Sequence, residues 1–226
     1  LIYCYIKDYF SSSRGFSIEA VLLDSENPMK ILGRTNEALF VPEQDYELYG
    51  NVPYIVFPSG ALLKGEDLMI YYGAADTTCC LAGCKLNDLI AQITPEAYIR
   101  SLTNKTKLER FTGNPIISPN PKKKWESRAT FNAAAIYEYG KVHLLYRAMG
   151  DDDTSVLGYA SSVEGFNIEE RLSEPVYLPR ESFEQKIGTG NSGCEDPRIT
   201  KVGDKFYMCY TAYDGKNETR VALTSI

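Results

Sequence analysis

Four polar residues stand directly beside segments that have the apolar, tyrosine-rich texture of β-strands. Two are carboxylates, one is an amide and one is a guanidinium: Asp76, Asp196, Asn132 and Arg147. Such groups suit hydrogen bonding to a neutral, hydroxyl-rich ligand, and a carboxyl among them can transfer a proton. Taken singly, each also has a structural explanation, since Asp and Asn beside turns commonly cap the backbone and arginine pairs with surface carboxylates.

Composition and charge narrow the class of partner. The 226 residues carry 24 Lys and Arg against 30 Asp and Glu, a net charge of −6, which argues against a nucleic-acid partner. No stretch approaches the roughly 20 apolar residues of a membrane helix, so no membrane association is expected. The opening residues 1–6 lack a basic leader and are typical of a strand, and we therefore predict a cytoplasmic protein.

Cysteine usage favours the same compartment. Cys79 and Cys80 are adjacent, and Cys4, Cys80 and Cys209 stand in or beside apolar strands, where free cysteine acts as a small hydrophobe. Free thiols in a reducing compartment are expected, with disulfides as the alternative. No metal site is predicted, because the single histidine, His143, lies within an apolar strand and no second cysteine pair has zinc spacing.

A repeated pattern positions the four polar residues. Residues 61–73, 135–147 and 199–211 each hold an apolar strand, a Gly-centred turn and a second strand with tyrosine near its end. A further short strand follows each copy, and residues 1–23 resemble the second half of a fourth copy. Repeats of about 60 to 75 residues with several strands each are typical of the blades of a propeller. We predict an all-β fold of the β-propeller type, with a β-sandwich as the alternative.

One segment interrupts the strand pattern. Helix-capping residues predict two short helices, one at 89–91 behind Asn87 and Asp88 and one at 97–102 behind Pro95. A helical linker therefore divides the chain. The predicted parts are residues 1–93, the linker 94–113 and residues 114–226.

Six short motifs carry a family resemblance. They are residues 51–60 (NVPYIVFPSG), 71–77 (YYGAADT), 131–135 (FNAAA), 144–148 (LLYRA), 157–161 (LGYAS) and 195–200 (EDPRIT). Together they resemble glycoside hydrolase family 130, the β-mannoside phosphorylases and β-mannosidases, over nearly all of the chain except the linker. The resemblance implies a five-bladed β-propeller that cleaves β-mannosidic bonds with inversion. Inorganic phosphate is the attacking group, giving α-mannose 1-phosphate, or water in some members.

The resemblance also implies roles for the residues. Asp196, in the Glu-Asp-Pro-Arg motif, corresponds to the general acid of the family, and Asn132, Arg147 and Asp76 correspond to residues that hold the mannosyl ring. The same motif makes Glu195 and Arg198 further candidates for substrate binding.

The implied partners follow from the reaction. The substrate is a β-linked manno-oligosaccharide or mannosyl-glucose, and inorganic phosphate is a co-substrate, with no cofactor and no metal. A carboxyl that donates a proton near neutral pH needs a raised pKa, which burial or the adjacent Glu195 can provide. Because Asp76 and Asp196 repel a phosphate dianion, cationic groups must line its site.

The order of the motifs departs from the family. Residues 51–76 resemble its C-terminal part and residues 114–198 its N-terminal part, while the middle, which carries the basic phosphate ligands, is not present. Three explanations stay open: a junction of two tandem copies, a permuted and shortened propeller, or a chain that completes its ring with a partner such as a second copy. In a tandem junction, Asp76 and Asp196 belong to different sites. A β-mannosidase that uses water and a catalytically inert sugar-binding propeller are the alternative functions.

Overall fold

The computed structural model describes residues 1–11, 14–94 and 106–225, and strands dominate them. Helices α1 and α2 span Asp45–Leu48 and Leu86–Ile93, and a 3₁₀ turn spans Lys124–Glu126. No helix within the described residues is long and apolar enough to cross a bilayer. The strands β1 to β14 in these residues are Ile2–Lys7, Gly15–Leu23, Ile31–Arg34, Val56–Lys64, Asp67–Ala74, Thr78–Lys85, Glu109–Arg110, Ala129–Glu138, Lys141–Met149, Thr154–Ser162, Glu170–Arg171, Ser192–Val202, Lys205–Tyr213 and Arg220–Ser225.

The strands pair into four antiparallel units. The first unit is β1–β3, the second β4–β7, the third β8–β11 and the fourth β12–β14. A short parallel pairing of β10 with β12, through Thr154 with Ser192 and Ser155 with Gly193, joins the third and fourth units into one sheet. The predicted half copy at residues 1–23 is found as the antiparallel pair β1–β2.

Glycine turns set the register of the three predicted hairpins. Gly65, Gly140 and Gly203 lie in two-residue loops between paired strands, with φ angles of 64°, 79° and 61°. This left-handed region costs glycine little and matches the twist of the flanking strands. The hairpins and the all-β class are therefore confirmed, and closure into a propeller stays a prediction.

The apolar core lies between neighbouring units. One cluster joins the first and second units around Ile18 and Tyr72, the next joins the second and third around Tyr71 and Tyr146, and a third joins the third and fourth around Leu157. The strands β4, β8 and β12, which begin the second, third and fourth units, contact one another. Residues on these three strands are therefore brought to one region of the molecule.

The helical segment differs from its prediction in one detail. Lys85 occupies the N-cap of α2, so Asn87 and Asp88 lie within its first turn and do not cap it, since the helix continues directly from strand β6. The predicted helix at 97–102 lies outside the described residues. Within the predicted linker 94–113, Glu109–Arg110 forms β7 and pairs with β6. His143, on β9, has a structural role, because its ring contacts the Tyr159 hydroxyl and the backbone carbonyl of Glu138.

Candidate active site

Left-handed backbone marks three of the predicted site residues. Asp76, Asn132 and Asp196 have φ angles of 48°, 52° and 51°. Asn132 lies at a shift in the β8–β9 register and Asp196 at a shift in the β12–β13 register, while Asp76 follows the end of β5. Asn and Asp tolerate this conformation better than other side chains, and a bulge re-aims the residue that it contains. The first strands of the third and fourth units, β8 and β12, thus present an amide and a carboxylate through the same kind of bulge.

A hydrogen-bonded cluster joins the two bulges to strand β9. Nδ2 of Asn132 donates to Oδ1 of Asp196 over 2.8 Å. Nη1 of Arg147, on β9, lies 3.3 Å from the same oxygen. Asn132 and Arg147 are buried, with 3% and 8% of their surfaces exposed, while the side chain of Asp196 is 29% exposed, so these contacts are partly shielded from water. One carboxylate oxygen is therefore held by an amide and a guanidinium at once.

Arg147 organises the remaining groups around it. Its Nη2 pairs with Oε1 of Glu195 at 2.8 Å, and its Nε donates to the hydroxyl of Ser155 over 3.0 Å. The guanidinium also lies over the ring of Phe131, 4.8 Å from the centroid. These three contacts fix the orientation of the planar Arg147 guanidinium, and the ammonium group of a lysine could not make all of them.

Burial and like charge act on the acidic residues of the cluster. Burial raises the pKa of Asp76 to about 6, the charge of Arg147 opposes the rise, and the charge of Asp196 adds to it. Burial likewise raises the pKa of Glu195, again opposed by Arg147 and increased by Asp196. Carboxyls with raised pKa values can exchange protons near neutral pH. Asp76 thus lies near enough to Arg147 and Asp196 for their charges to act on it.

Arg198 lies at the margin of the cluster. Its Nη1 donates to the backbone carbonyl of Pro197 over 2.9 Å, and its guanidinium lies 5.8 Å from the ring centroid of Phe57. Burial lowers its pKa, and the charge of Asp196 partly reverses that effect. The six predicted site residues are thus brought together, with Arg198 the least engaged by carboxylates.

One polar atom of the cluster lacks a partner. Oδ1 of Asn132 is buried and accepts no hydrogen bond from the described residues. It lies so close to Gly73 that a Cβ at that position would overlap it. A buried acceptor without a donor is costly, and such atoms are retained where a ligand supplies the missing hydrogen bond.

Sequence reasoning missed three contributors: Ser155, Phe131 and Gly73. Ser155 carries no local signal, and Phe131, although it begins the motif 131–135, gives no sign in the sequence of its contact with Arg147. Gly73 does carry a signal, since a glycine inside an apolar strand indicates close approach of another group.

All six cysteines are free thiols. Within the described part of the chain, no three His, Cys, Asp or Glu side chains are placed to share a metal ion.

Comparison with known proteins identifies the family of this chain. Residues 3–94 and 104–225 match the family model of glycoside hydrolase family 130, which is described as β-1,4-mannooligosaccharide phosphorylase. A β-1,2-mannobiose phosphorylase from Thermoanaerobacter sp. is 39% identical over 127 residues, which cover 49% of this chain and 39% of that protein. A 1,2-β-oligomannan phosphorylase from the same organism is 38% identical over 128 residues, covering 53% and 41% respectively. The chain therefore spans about two fifths of the length of these relatives.

The fold also has a distant likeness among solved structures. A family 32 β-fructofuranosidase from Bombyx mori matches with a TM-score of 0.62 and 14% identity. The match covers 99% of this chain and 42% of that one. At so low an identity, only the all-β fold is shared.

Proposed function

The chain belongs to glycoside hydrolase family 130, and from that premise we propose that it forms part of the active site of a β-mannoside phosphorylase. The proposed reaction transfers the mannosyl group from a β-mannosidic bond to inorganic phosphate and gives α-mannose 1-phosphate. The proposed scaffold is a β-propeller whose first strands face a common axis, which the mutual contacts of β4, β8 and β12 support.

Asp196 is the proposed general acid. Phosphate attacks the anomeric carbon from the face opposite the leaving group, and the bond from that carbon to the glycosidic oxygen breaks. The leaving oxygen takes a proton that originates on Asp196, directly or through a hydroxyl of the sugar. Inversion needs no second catalytic carboxylate when phosphate is the nucleophile.

The observation that carries the proposal is the environment of Asn132. Its Nδ2 is held by Asp196 at 2.8 Å, while its buried Oδ1 accepts no hydrogen bond from the described residues. The amide thus orients the proposed acid, and a shift of its Oδ1 away from Gly73 on substrate binding would offer an acceptor to a sugar hydroxyl. Asp76 and the Arg147 guanidinium are the proposed further contacts to the mannosyl ring.

Phosphate binding requires positive charge beyond that of Arg147, which Glu195 and Asp196 already engage. Arg198 is the proposed contribution of this chain, because it forms no ion pair with a carboxylate within the described residues. Its partly buried position and depressed pKa favour an anionic partner, which would stabilise the charged guanidinium. The remaining cationic ligands are proposed to come from polypeptide outside these 226 residues.

The test is phosphate dependence. The chain is incubated with β-1,2-mannobiose or β-1,4-mannobiose, with and without inorganic phosphate, and α-mannose 1-phosphate is followed by ³¹P NMR. Formation of the sugar phosphate only with phosphate supports the proposal. Release of free mannose at the same rate without phosphate would instead assign a β-mannosidase that uses water.

Sugar binding without turnover is the second candidate. The chain spans 39% and 41% of two phosphorylase relatives, a fraction that favours an incomplete site. Calorimetric titration with mannobiose distinguishes the two: binding with no product over a long incubation assigns the non-catalytic function to this chain.

A further inference from the structure

Three of the four units contain the same buried pair. A glutamate ahead of the first strand accepts a hydrogen bond from a tyrosine near the end of the second strand. The pairs are Glu47 with Tyr72 and Glu126 with Tyr146, both at 2.8 Å, and Glu184 with Tyr210. All three glutamates are fully buried, with 0% of their surfaces exposed. A buried carboxylate needs compensating charge or several hydrogen bonds.

In the second unit, an arginine from the outermost strand supplies that compensation. Arg110 of β7 donates through Nε and Nη2 to the two oxygens of Glu47, both over 2.8 Å. Its Nη2 also donates to the carbonyl of Val41, which precedes a proline. The third unit repeats the arrangement: Arg171 of β11 donates to Glu126 over 2.6 Å and to the carbonyl of Ser118, which also precedes a proline, over 3.0 Å.

The fourth unit has every part of this motif except the arginine. Glu184 accepts hydrogen bonds from the backbone N–H groups of Arg180 and Glu181, just as Glu47 accepts them from the residues four and three positions before it. Leu178 precedes a proline and matches Val41. Arg180 is exposed and stacks on the ring of Tyr177 at 4.0 Å. Within the described residues, no guanidinium donates a hydrogen bond to Glu184.

The outer edge of the fourth unit is also uncovered. On β14, Val221 and Leu223 are 84% and 65% exposed. Their counterparts on β6, Cys79 and Leu81, are 0% and 5% exposed, because their side chains pack in the cluster between the second and third units and their backbones pair with Ile117 and Phe111. Strand β14 ends its sheet and has no such strand beside it within the described residues. A cavity of about 470 Å³ lies beside β14 and is lined by Arg180, Tyr210 and Leu223 among others.

We propose that the edge of β14 binds an extended, arginine-bearing peptide strand supplied by polypeptide outside the described residues. The repeat fixes its register. Arg110 pairs with Ala82 and Arg171 with Ala160. On the second strand of each unit, these alanines pair in turn with Ile70 and Leu144, each two residues before the tyrosine of its unit. In the fourth unit Thr224 holds that place, opposite Met208. The incoming arginine therefore pairs with Thr224 and donates to Glu184 and to the carbonyl of Leu178.

The occupant is not a second copy of the described residues. Both Glu-Arg strands that they contain, Glu109–Arg110 and Glu170–Arg171, are already paired within their own units. Charge complementarity favours an arginine-bearing strand, because Glu184 is a buried carboxylate to which no guanidinium within the described residues donates a hydrogen bond, whereas its counterparts Glu47 and Glu126 each accept one from an outer strand.

The test uses the chain itself and a fluorescent peptide copied from residues 167–178, which contain Arg171 and the tyrosine that bridges β10. We expect the peptide to bind the wild-type chain and its Arg171→Gln form to bind about tenfold more weakly or worse, as loss of charge-assisted hydrogen bonds requires. In a Glu184→Gln protein, the two peptides should bind alike. Fluorescence anisotropy gives the affinities.

A matched pair of edge variants keeps the test independent of Glu184. The N–H of Leu81, the counterpart of Leu223 on β6, donates outward to Asn114, so the N–H of Leu223 faces the free edge of β14. Leu223→Pro therefore removes a donor that an added strand needs, and an edge strand tolerates proline. Leu223→Ala keeps that donor. Peptide binding should be lost in the proline variant and retained in the alanine variant, with circular dichroism confirming that both fold.

Three outcomes would overturn the proposal. The first is no binding up to about 1 mM peptide, the weak limit of useful affinity. The second is equal affinity of the arginine and glutamine peptides for the wild-type chain. The third is dimerisation of the chain without peptide, seen by sedimentation and lost in Leu223→Pro, which would assign the edge to a second copy.

Discussion

Nδ2 of Asn132 lies 2.8 Å from Oδ1 of Asp196, although 64 residues separate the two along the chain. Each residue occupies a bulge near the start of its unit, so the contact depends on how two neighbouring units pack. The acid proposed for catalysis is therefore oriented by a different unit from the one that carries it.

Replacing the proposed acid separates turnover from binding. Asp196→Asn removes the proton donor but keeps the shape of the side chain, and asparagine suits the φ of 51°. We expect turnover to fall by at least about 10²–10⁴-fold, the usual contribution of a general acid. Mannobiose affinity should change only a few fold, measured by calorimetry beside the phosphorolysis rate. Equal loss of both would show that Asp196 is structural.

Filling the space at Gly73 should displace Asn132. In Gly73→Ala the new methyl group overlaps Oδ1 of Asn132, so the amide must move away from Asp196. We expect a stability loss of about 1–3 kcal/mol, typical of overpacking, together with weakened mannobiose binding. Gly15→Ala is the control, because nothing lies within 4 Å of its added methyl group. Unfolding in urea and calorimetric titration measure the two effects, and unchanged sugar affinity in Gly73→Ala would count against the role of Asn132.

Removing the Arg147 guanidinium should destabilise the protein in a pH-dependent way. Arg147→Met leaves Glu195 and Asp196 without their buried cation, at a cost of about 3–5 kcal/mol near pH 7.5. Loss of the cation raises the pKa of Glu195 and Asp76 further, so both protonate more readily as the pH falls. The deficit relative to wild type should therefore shrink toward about pH 5, measured by urea unfolding at both values. Arg147→Lys, which retains charge, should lose less, and a deficit independent of pH would contradict the pairing.

Ionisation of Asp76 should destabilise the folded protein. Its pKa rises from 3.8 to about 6 in the folded protein, so the unfolded chain releases the proton first as the pH rises. Wild-type stability is accordingly lost as the pH rises from about 4 through about 6. Asp76→Asn lacks this loss and should gain up to about 3 kcal/mol relative to wild type between pH 4 and pH 7.5, because each pKa unit corresponds to about 1.4 kcal/mol. Urea unfolding of both proteins across that range tests the sign, and an advantage of Asp76→Asn over wild type that grew toward acidic pH would contradict it.

The buried glutamates predict different roles for two arginines. Arg110→Met strips the guanidinium from the buried Glu47 and should cost about 3–5 kcal/mol. Arg180→Met alters an exposed side chain that donates no side-chain hydrogen bond to Glu184, and should cost less than about 0.5 kcal/mol. Thermal or urea unfolding of the two variants gives the comparison. Similar losses would mean that Arg180 already compensates Glu184.

The sequence predicted features that depend on residues close together in the chain better than features that depend on distant ones. The hairpins at Gly65, Gly140 and Gly203 were predictable, because a glycine between two apolar strands is a local signal for a tight turn. The bulges at Asn132 and Asp196 were not, because their positive φ angles occur at residues other than glycine. The family motifs identified both residues as site candidates without revealing this backbone.

The buried contacts between glutamate and arginine in separate segments escaped prediction. Arg171 reaches Glu126 across 45 residues, and Arg110 reaches Glu47 across 63. Each partner alone is an ordinary charged residue, and only the packing of strands into units shows that these carboxylates are buried. Ser155 belongs to the same class, since its role depends on where the side chain of Arg147 ends.

The left-handed backbone at Asp76, Asn132 and Asp196 limits which mutations these positions accept. Asparagine, aspartate and glycine fit there, while branched or bulky residues strain the chain. Codons for aspartate and asparagine differ by a single base, so acid and amide can exchange at any of the three without rebuilding a strand. A lineage built on this scaffold is thereby able to change the number of acidic groups at the site one at a time.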